Sequence, residues 1–420
     1  MKIVSINTIT LRSFFKNNYS FIFIGINIIV ALLGFIRSFF FMKLFSFNEL
    51  GIITIINTGV MFIGFFQIGL INGGYRIIAL KNEDSTEKTN NVIFSYFGVI
   101  SVFLFGVYLL VVLTGYVFEY LYVFVAILIG LFTLIVNWLT NILIGNKEYK
   151  RLNSASFISA IVGLLSLILA YFFDIYGAIL SLFLQPIVFV LIVFITDSKV
   201  LPKKFDLDIK YIKHVLSFGF IPFLSGVFLL IYMQVERWSI IYFIGPEALG
   251  KMYLVFIISM LWVLIPSSIN SLFFPDAVKL FVNNDSVGLS KMINKYYLII
   301  SIYCFLISFL ILVFLNPFVH YFFPNHLPYV YLAIMILPAL ILRTMSDPII
   351  LLLNSMVILK PLFWGDLICI FIYIILVLTV GFTKKISLDY MIICLGIYYL
   401  CRFIYLLNVF IYAKKKLLKS

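Results

Sequence analysis

The chain is built from long, continuous apolar runs separated by short polar or Gly/Pro stretches. Runs such as 21–41 and 298–315 show no alternation of polarity, and their length approaches the roughly 20 residues that a helix needs to cross hydrocarbon. A membrane β-barrel would instead show segments of about 10 residues with alternating polarity. The pattern predicts twelve helical spans, near 19–42, 49–71, 92–114, 121–144, 155–172, 177–195, 216–243, 250–274, 296–315, 329–353, 362–382 and 389–412. Polar punctuation at 81–91, 145–153 and 275–295 separates some of them. The first run opens near Tyr19 and has no small-residue cleavage site after it, so it is expected to be a permanent span rather than a cleaved leader.

Composition sharpens this reading. The 420 residues are 64% hydrophobic and only 11% charged, with a mean hydropathy of +1.17. Soluble domains carry about 25% charged residues, so this chain has too few charges to cover a water-facing surface. The fold class expected is an all-α polytopic membrane protein. The formal charge of +13 would suit a polyanionic partner, but the distribution of the charges argues otherwise. With the N-terminus placed inside, 22 of the 30 Lys and Arg fall on inner segments, four (Lys43, Lys251, Lys384, Lys385) on outer ones and four within spans. Basic loops stay on the cytoplasmic side. This predicts a multi-pass protein of a bacterial inner (plasma) membrane with both termini cytoplasmic, and no nucleic-acid partner.

The most basic inner stretch, 196–215, sits at mid-chain. It divides the chain into an expected N-terminal six-helix lobe (1–198), a basic cytoplasmic linker (199–215) and a C-terminal six-helix lobe (216–420). A faint repeat supports this division: Arg37 is followed by Leu50-Gly51, and Arg237 by Leu249-Gly250. An even number of spans per lobe gives both the same orientation, related by an axis along the membrane normal. The longest outer loop, 316–328, leaves little room for a folded outer domain.

The four intramembrane cations are all arginine: Arg37, Arg237, Arg343 and Arg402. Each costs about 2.5–3.5 kcal/mol at the bilayer centre on insertion scales, so each should face a bundle interior or a wet cavity. A guanidinium stays charged and presents a planar fork suited to phosphate, which makes these four the candidates for binding an anionic head group. Arg37 and Arg237 lie nearer the outer ends of their spans and can alternatively snorkel to the interface. Arg343 has Asp347 four residues on and can neutralise itself, whereas Arg402 has no acid within four residues. Glu236, Asp347 and Asp366 are the candidates for coupling to H⁺ or Na⁺, or else they balance nearby arginines. Pro338 and Pro348 flank Arg343, and Asp347-Pro348 is expected to interrupt that helix. Asn137 and Asn141, spaced i,i+4, are candidates for sugar contacts. They and the other deep amides, Asn27, Asn57, Gln67, Gln185, Gln234 and Asn270, serve equally as interhelical glue.

Enzyme signatures are missing from the sequence. It contains no Gly-rich phosphate loop and no His/Cys cluster with metal-ligand spacing, so neither metal nor cofactor is expected. Cys304, Cys369, Cys394 and Cys401 lie in apolar runs and read as small core residues. His214, His320 and His326 lie outside the predicted spans.

Several short motifs, taken in order, resemble a known family. Leu33-Gly34-Phe35-Ile36-Arg37 ends the first span, Asn48-Glu49-Leu50-Gly51 opens the second, and the stretch from Gly69 to Arg76 leaves it. In the second half, Glu236-Arg237 ends span seven, and Gly250, Tyr253 and Pro275 frame span eight. Together they resemble the Wzx-type lipid-linked oligosaccharide flippases of the multidrug/oligosaccharidyl-lipid/polysaccharide (MOP) exporter superfamily. Spans nine to twelve match only in hydropathy. The resemblance implies two six-helix lobes around a lumen. It also implies transport of an undecaprenyl-pyrophosphate-linked oligosaccharide repeat unit to the outer leaflet, for surface polysaccharide such as O-antigen, capsule or exopolysaccharide. Only Arg37, Glu236 and Arg237 carry over by motif. The partners expected are thus a polyprenyl-pyrophosphate-linked oligosaccharide, membrane lipid, H⁺ or Na⁺, and other polysaccharide-assembly membrane proteins. The rivals are a drug/cation antiporter of the same superfamily, which would favour an acid-lined lumen, and a membrane polymerase or glycosyltransferase, for which the outer loops are short and their acids unclustered.

Overall fold

The computed structural model describes residues 19–79, 83–115, 120–197, 200–356, 358–382 and 387–417. Among the topology-setting cations, Lys2, Arg12, Lys16, Lys81, Lys199, Lys384, Lys385 and Lys419 lie outside the described residues. The described chain is helical almost throughout. Its helices are α1 (Tyr19–Leu44), α2 (Phe47–Ile63), α3 (Leu70–Ala79), α4 (Glu83–Leu113), α5 (Tyr120–Gly145), α6 (Tyr149–Leu165), α7 (Leu167–Thr196) and α8 (Ile209–Phe243). They continue as α9 (Pro246–Lys251), α10 (Tyr253–Val282), α11 (Ser286–Phe322), α12 (Val330–Met335), α13 (Leu337–Met345), α14 (Asp347–Ser355), α15 (Leu359–Phe382) and α16 (Leu388–Leu417).

Among the described residues, nine helical stretches are long and apolar enough to cross a membrane. The other three predicted spans coincide with α6, α8 and α10. Three predicted spans are not single helices; the fifth, 155–172, is divided at Ser166 between α6 and α7. The second ends in a 3-10 turn at Gly64–Gln67, then turns through Ile68 and Gly69, both at positive φ, into α3. Nothing but a glycine pair marks this break in the sequence. The tenth, predicted as one run over 329–353, is divided into α12, α13 and α14. Pro338 and Pro348 sit in the first turns of α13 and α14, where a ring without an N–H is tolerated and the preceding helix stops. The predicted turn between spans five and six falls at Phe173 and Asp174, which leave helical geometry inside α7.

The chain forms two compact units: the chain up to Leu44 together with Ile56–Leu224, and Phe45–Ile55 together with Ser225–Ser420. Acyl chains are as apolar as leucine, so side-chain burial alone gives membrane helices little reason to associate. Close backbone packing and interhelical hydrogen bonds do that work.

In the first unit α1 packs along α6, and α5 and α6 pack on α7. Trp138 is fully buried, donates from Nε1 to Asn90 Oδ1 at 2.9 Å, and rests where Gly74 leaves no side chain. Asn90 in turn donates to the Val200 carbonyl at 2.8 Å. Helices α3 and α8 cross with backbones in direct contact, since a Cβ on Gly73 would drive into the Val215 carbonyl and one on Gly219 into that of Gly69.

The second unit has matching devices. Trp262, fully buried, donates from Nε1 to Thr344 Oγ1 at 2.7 Å and accepts at its carbonyl from Tyr303 at 3.0 Å. Ser46 and Glu49 form a reciprocal cap for α2. The Glu49 carboxylate accepts from the Ser46 backbone N–H at 2.8 Å and from its hydroxyl at 2.7 Å. One turn on, Gly51 seats the Pro246 carbonyl, while Gly250 seats the Phe47 carbonyl. Phe47 and Pro246 each lie four residues before their own glycine, so the two contacts are reciprocal. The repeat legible as Leu50-Gly51 and Leu249-Gly250 is therefore a pair of glycine seats. Pro275 lies in α10, but its side chain is outside what the structure describes.

Candidate functional site

Helical periodicity collects polar side chains into one cavity inside the first unit. Asn27 and Arg37 on α1, Thr133 and Thr140 on α5, and Ser156 and Ser159 on α6 sit at spacings that keep each pair on one helix face. Asn57 from α2 and Gln185 from α7 join them around about 480 Å³. Apolar groups such as Val60, Ile129 and Phe189 complete the wall. Arg37 donates from Nη1 to Gln185 Oε1 at 2.7 Å, a bond between a cation and a neutral amide. Gly163 makes room for it, because a Cβ there would lie 3.1 Å from Gln185 Oε1 and 3.4 Å from Arg37 Nη1. Among the described residues lining the cavity, Arg37 is the one charged group and no carboxylate is present.

The hydroxyls in this wall also bond locally: Thr133 donates to the Ile129 carbonyl at 2.7 Å and Ser159 to the Ser156 carbonyl at 3.0 Å. A hydroxyl keeps its acceptor lone pairs when it donates this way, so the wall can still receive a donor from a guest. Asn137 and Asn141 are not among the described lining residues. Asn137 is exposed, and α5 lines the cavity with Ile129, Thr133, Val136 and Thr140 instead.

The other three arginines lie in the second unit. Arg237 is buried, which removes the snorkelling alternative, and its guanidinium carbon stands 5.0 Å from the centroid of the Phe256 ring. Its neighbour Glu236 is buried too, and Glu236 Oε1 has no hydrogen-bond partner among the described atoms. Arg402 donates from Nε to Asp366 Oδ1 at 2.6 Å, both side chains lying well inside the unit. Asp347 opens α14, within reach of the charges of Arg343 and Arg402. The structure thus pairs buried Arg402 with Asp366 and sets half-buried Asp347 within electrostatic reach of Arg343 and Arg402. The partner of Arg402 comes from α15, 36 residues away, where a search along one helix does not find it.

At the α5–α6 turn of the first unit, Arg151 pairs with Glu148 and, at 2.8 Å, with Asp197. Residues 200–208 run non-helically along α4. There the Lys203 backbone N–H donates to Asn91 Oδ1 and that of Asp206 to Ser95 Oγ, each at 2.8 Å. Asp208 accepts from Lys88 Nζ at 2.8 Å and from the Tyr211 backbone, and these bonds hold its carboxyl below the ordinary range.

No protein-family model matches the chain, and no curated protein matches it by sequence. Solved structures do. A multidrug resistance MATE family transporter of the MOP superfamily, in an inward-facing conformation, aligns with a TM-score of 0.75 at 14% identity over 93% of this chain and 96% of its own. The lipid II flippase MurJ, inward closed, aligns at 0.71 with 16% identity over 93% and 87%. A MOP superfamily transporter from Pyrococcus furiosus, whose structure is described as having a binding pocket of reversed polarity, aligns at 0.60 with 14% identity over 95% of each chain. At these identities the likeness establishes the fold: that of a polytopic MATE- and MurJ-like membrane protein.

Proposed function

We propose that this chain is a flippase that carries a polyprenyl-pyrophosphate-linked oligosaccharide from the inner to the outer leaflet by alternating access, for surface polysaccharide assembly. The observation that carries the reading is the cavity of the first unit, with one guanidinium, several neutral hydrogen-bonding groups and no carboxylate among its described lining residues. Such a lining suits an anionic phosphate with sugar hydroxyls beside it and repels nothing of negative charge. A cation carrier needs the opposite sign. That one solved structure of the same fold flips a lipid-linked precursor supports the choice of substrate class. A head group carrying two negative charges gains about 4.6 kcal/mol per 100 mV on leaving a negative interior, so the membrane potential can drive export. Glu236 and Asp347 are the groups through which H⁺ or Na⁺ would reset the carrier.

A second reading, drug/cation antiport, draws on Glu236, a buried carboxylate with one unpartnered oxygen. Vesicles reconstituted with the protein separate the two. The proposal expects a fluorescent polyprenyl-pyrophosphate oligosaccharide to reach the far leaflet faster than in protein-free vesicles, with an inside-negative potential accelerating it. A protein that leaves this lipid where it was while exchanging an organic cation for H⁺ or Na⁺ is an antiporter, and the flippase reading is then wrong.

A further inference from the structure

We infer that the segment 200–213 is a docking surface for the anionic phospholipid headgroups of the leaflet it faces. This is an interaction separate from the transported substrate, resting only on the chain being membrane-embedded. Two observations point to it. First, the non-helical stretch 200–208 is pinned along one side: α4 supplies Asn90, Asn91 and Ser95 to its backbone, and Lys88 and Glu87 to its side chains Asp208 and Lys203. The helix positions 87, 91 and 95 recur every four residues, so one stripe of α4 holds the segment along its length. Second, the opposite side of the segment is left open and carries a definite chemistry. Phe205 is 71% exposed and Ile209 67%, with Leu201 and Leu207 also exposed, and Lys204, Lys210 and Lys213 exposed between and just beyond them, while Lys203, also exposed, pairs with Glu87 at the edge of the pinned side.

A lone exposed apolar side chain is ordinary on a protein surface. Four within nine residues, interleaved with lysines and beginning five residues after a span ends at Thr196, make an interfacial composition: apolar groups enter the headgroup boundary while ammonium groups meet lipid phosphates. The charges are complementary to an anionic leaflet. The acids Asp206 and Asp208 are turned toward the protein, their side chains 19% and 35% exposed against 61% and 68% for Lys203 and Lys204. Because the backbone is held by α4, the lysines and Phe205 are presented without the ordering cost that a flexible basic tail would meet on binding.

The test places a nitroxide at Phe205→Cys and measures its exposure to oxygen and to a water-soluble nickel chelate in lipid nanodiscs, with the identically treated unsubstituted chain as control for the native cysteines. In discs containing phosphatidylglycerol the label is expected in the headgroup region. In purely zwitterionic discs, or in phosphatidylglycerol discs at about 1 M salt, where the screening length is about 3 Å, it should return to water. The Lys203→Gln/Lys204→Gln/Lys210→Gln/Lys213→Gln variant should lose retained phosphatidylglycerol by about tenfold or more in native mass spectrometry. The salt arm needs no substitution and decides the matter if that variant fails to fold. A label that stays in water in anionic discs overturns the inference. So does one that enters the headgroups equally in zwitterionic discs, one that enters only when a polyprenyl pyrophosphate is added, or one that is buried only by an added soluble protein. None of these outcomes bears on transport, which the vesicle assay reads separately.

Discussion

Arg37 and Arg402 meet the same difficulty and solve it differently. Each brings a permanent charge into a membrane-embedded unit. In the second unit Arg402 is held by Asp366 at 2.6 Å, with Asp347 nearby, so the charge is neutralised within the protein. In the first unit the hydrogen bond from Arg37 to Gln185 goes to a neutral amide, on the wall of a cavity without a described carboxylate. A cation locked to an acid away from any described cavity is a structural element, whereas a cation on a cavity wall is placed to meet whatever occupies the cavity. The arginine to test first for ligand binding is thus the one that lines a cavity, Arg37.

The largest effect expected from this contrast is on stability. Asp366→Ala would strand the buried guanidinium of Arg402, and breaking a buried pair from one side costs about 3–5 kcal/mol. Replacing both partners, Arg402→Met with Asp366→Leu, should restore most of that, because a well-packed apolar pair avoids the desolvation of both charges. Thermal unfolding in detergent reads this directly. If the double variant also transports at the normal rate, Arg402 holds the fold together and does not bind substrate. If it folds but no longer transports, Arg402 shares the head group with Arg37, and the two arginines do not differ in role.

The next effect falls on transport. Arg37→Ala removes a charge-assisted hydrogen bond of about 1.5–3 kcal/mol to a phosphate, a loss of about ten- to a hundredfold in the vesicle assay at subsaturating substrate. The fold should survive, since Gln185, itself neutral, then loses one donor that water in the cavity can replace. Arg37→Lys keeps the charge but not the planar fork, so it should fall between the two. Full activity in Arg37→Ala would remove this cavity from the substrate's path.

The two arginines differ little in the sequence, and the reason is physical. The helices around them are legible because runs of about 20 apolar residues have the length of a hydrocarbon crossing. The division of the tenth span is legible because Pro338 and Pro348 lack the N–H that a continuing helix requires. Arg37 stands out because a charge in such a run is rare. Its partner does not: Gln185 lies 148 residues away and resembles any other deep amide. Asp366 is hidden from Arg402 in the same way, since tertiary packing rather than helical spacing joins them. The cavity hydroxyls Thr133, Thr140, Ser156 and Ser159 carry little signal one by one, because a serine or threonine can satisfy itself on its own helix. Only their recurrence at spacings of seven and three residues on α5 and α6 marks them. The Leu-Gly repeat is visible, but its physical cause, two glycines each seating the other segment's carbonyl, emerges only with the fold.

The smallest effect expected is also the most discriminating, because two measurements should move in opposite directions. Gly163 lies within α6, where alanine is favoured over glycine by about 0.5–1 kcal/mol, so Gly163→Ala should raise or maintain the melting temperature. Its new methyl would stand 3.1 Å from both Cβ and Oε1 of Gln185 and 3.4 Å from Arg37 Nη1, the Gln185 contacts closer than such contacts usually come. The side chain of Gln185 has to give by a few tenths of an ångström, which lengthens the bond that orients Arg37. Transport should then fall about two- to threefold, as expected when roughly half of a net hydrogen bond of about 1 kcal/mol is lost. A variant both more stable and slower locates the Arg37–Gln185 pair in the transport path, since packing damage would lower the two together. If stability rises and transport is unchanged, the orientation of Arg37 by Gln185 does not matter for the substrate. The charge at this position, tested by Arg37→Ala, would then be the whole of its contribution.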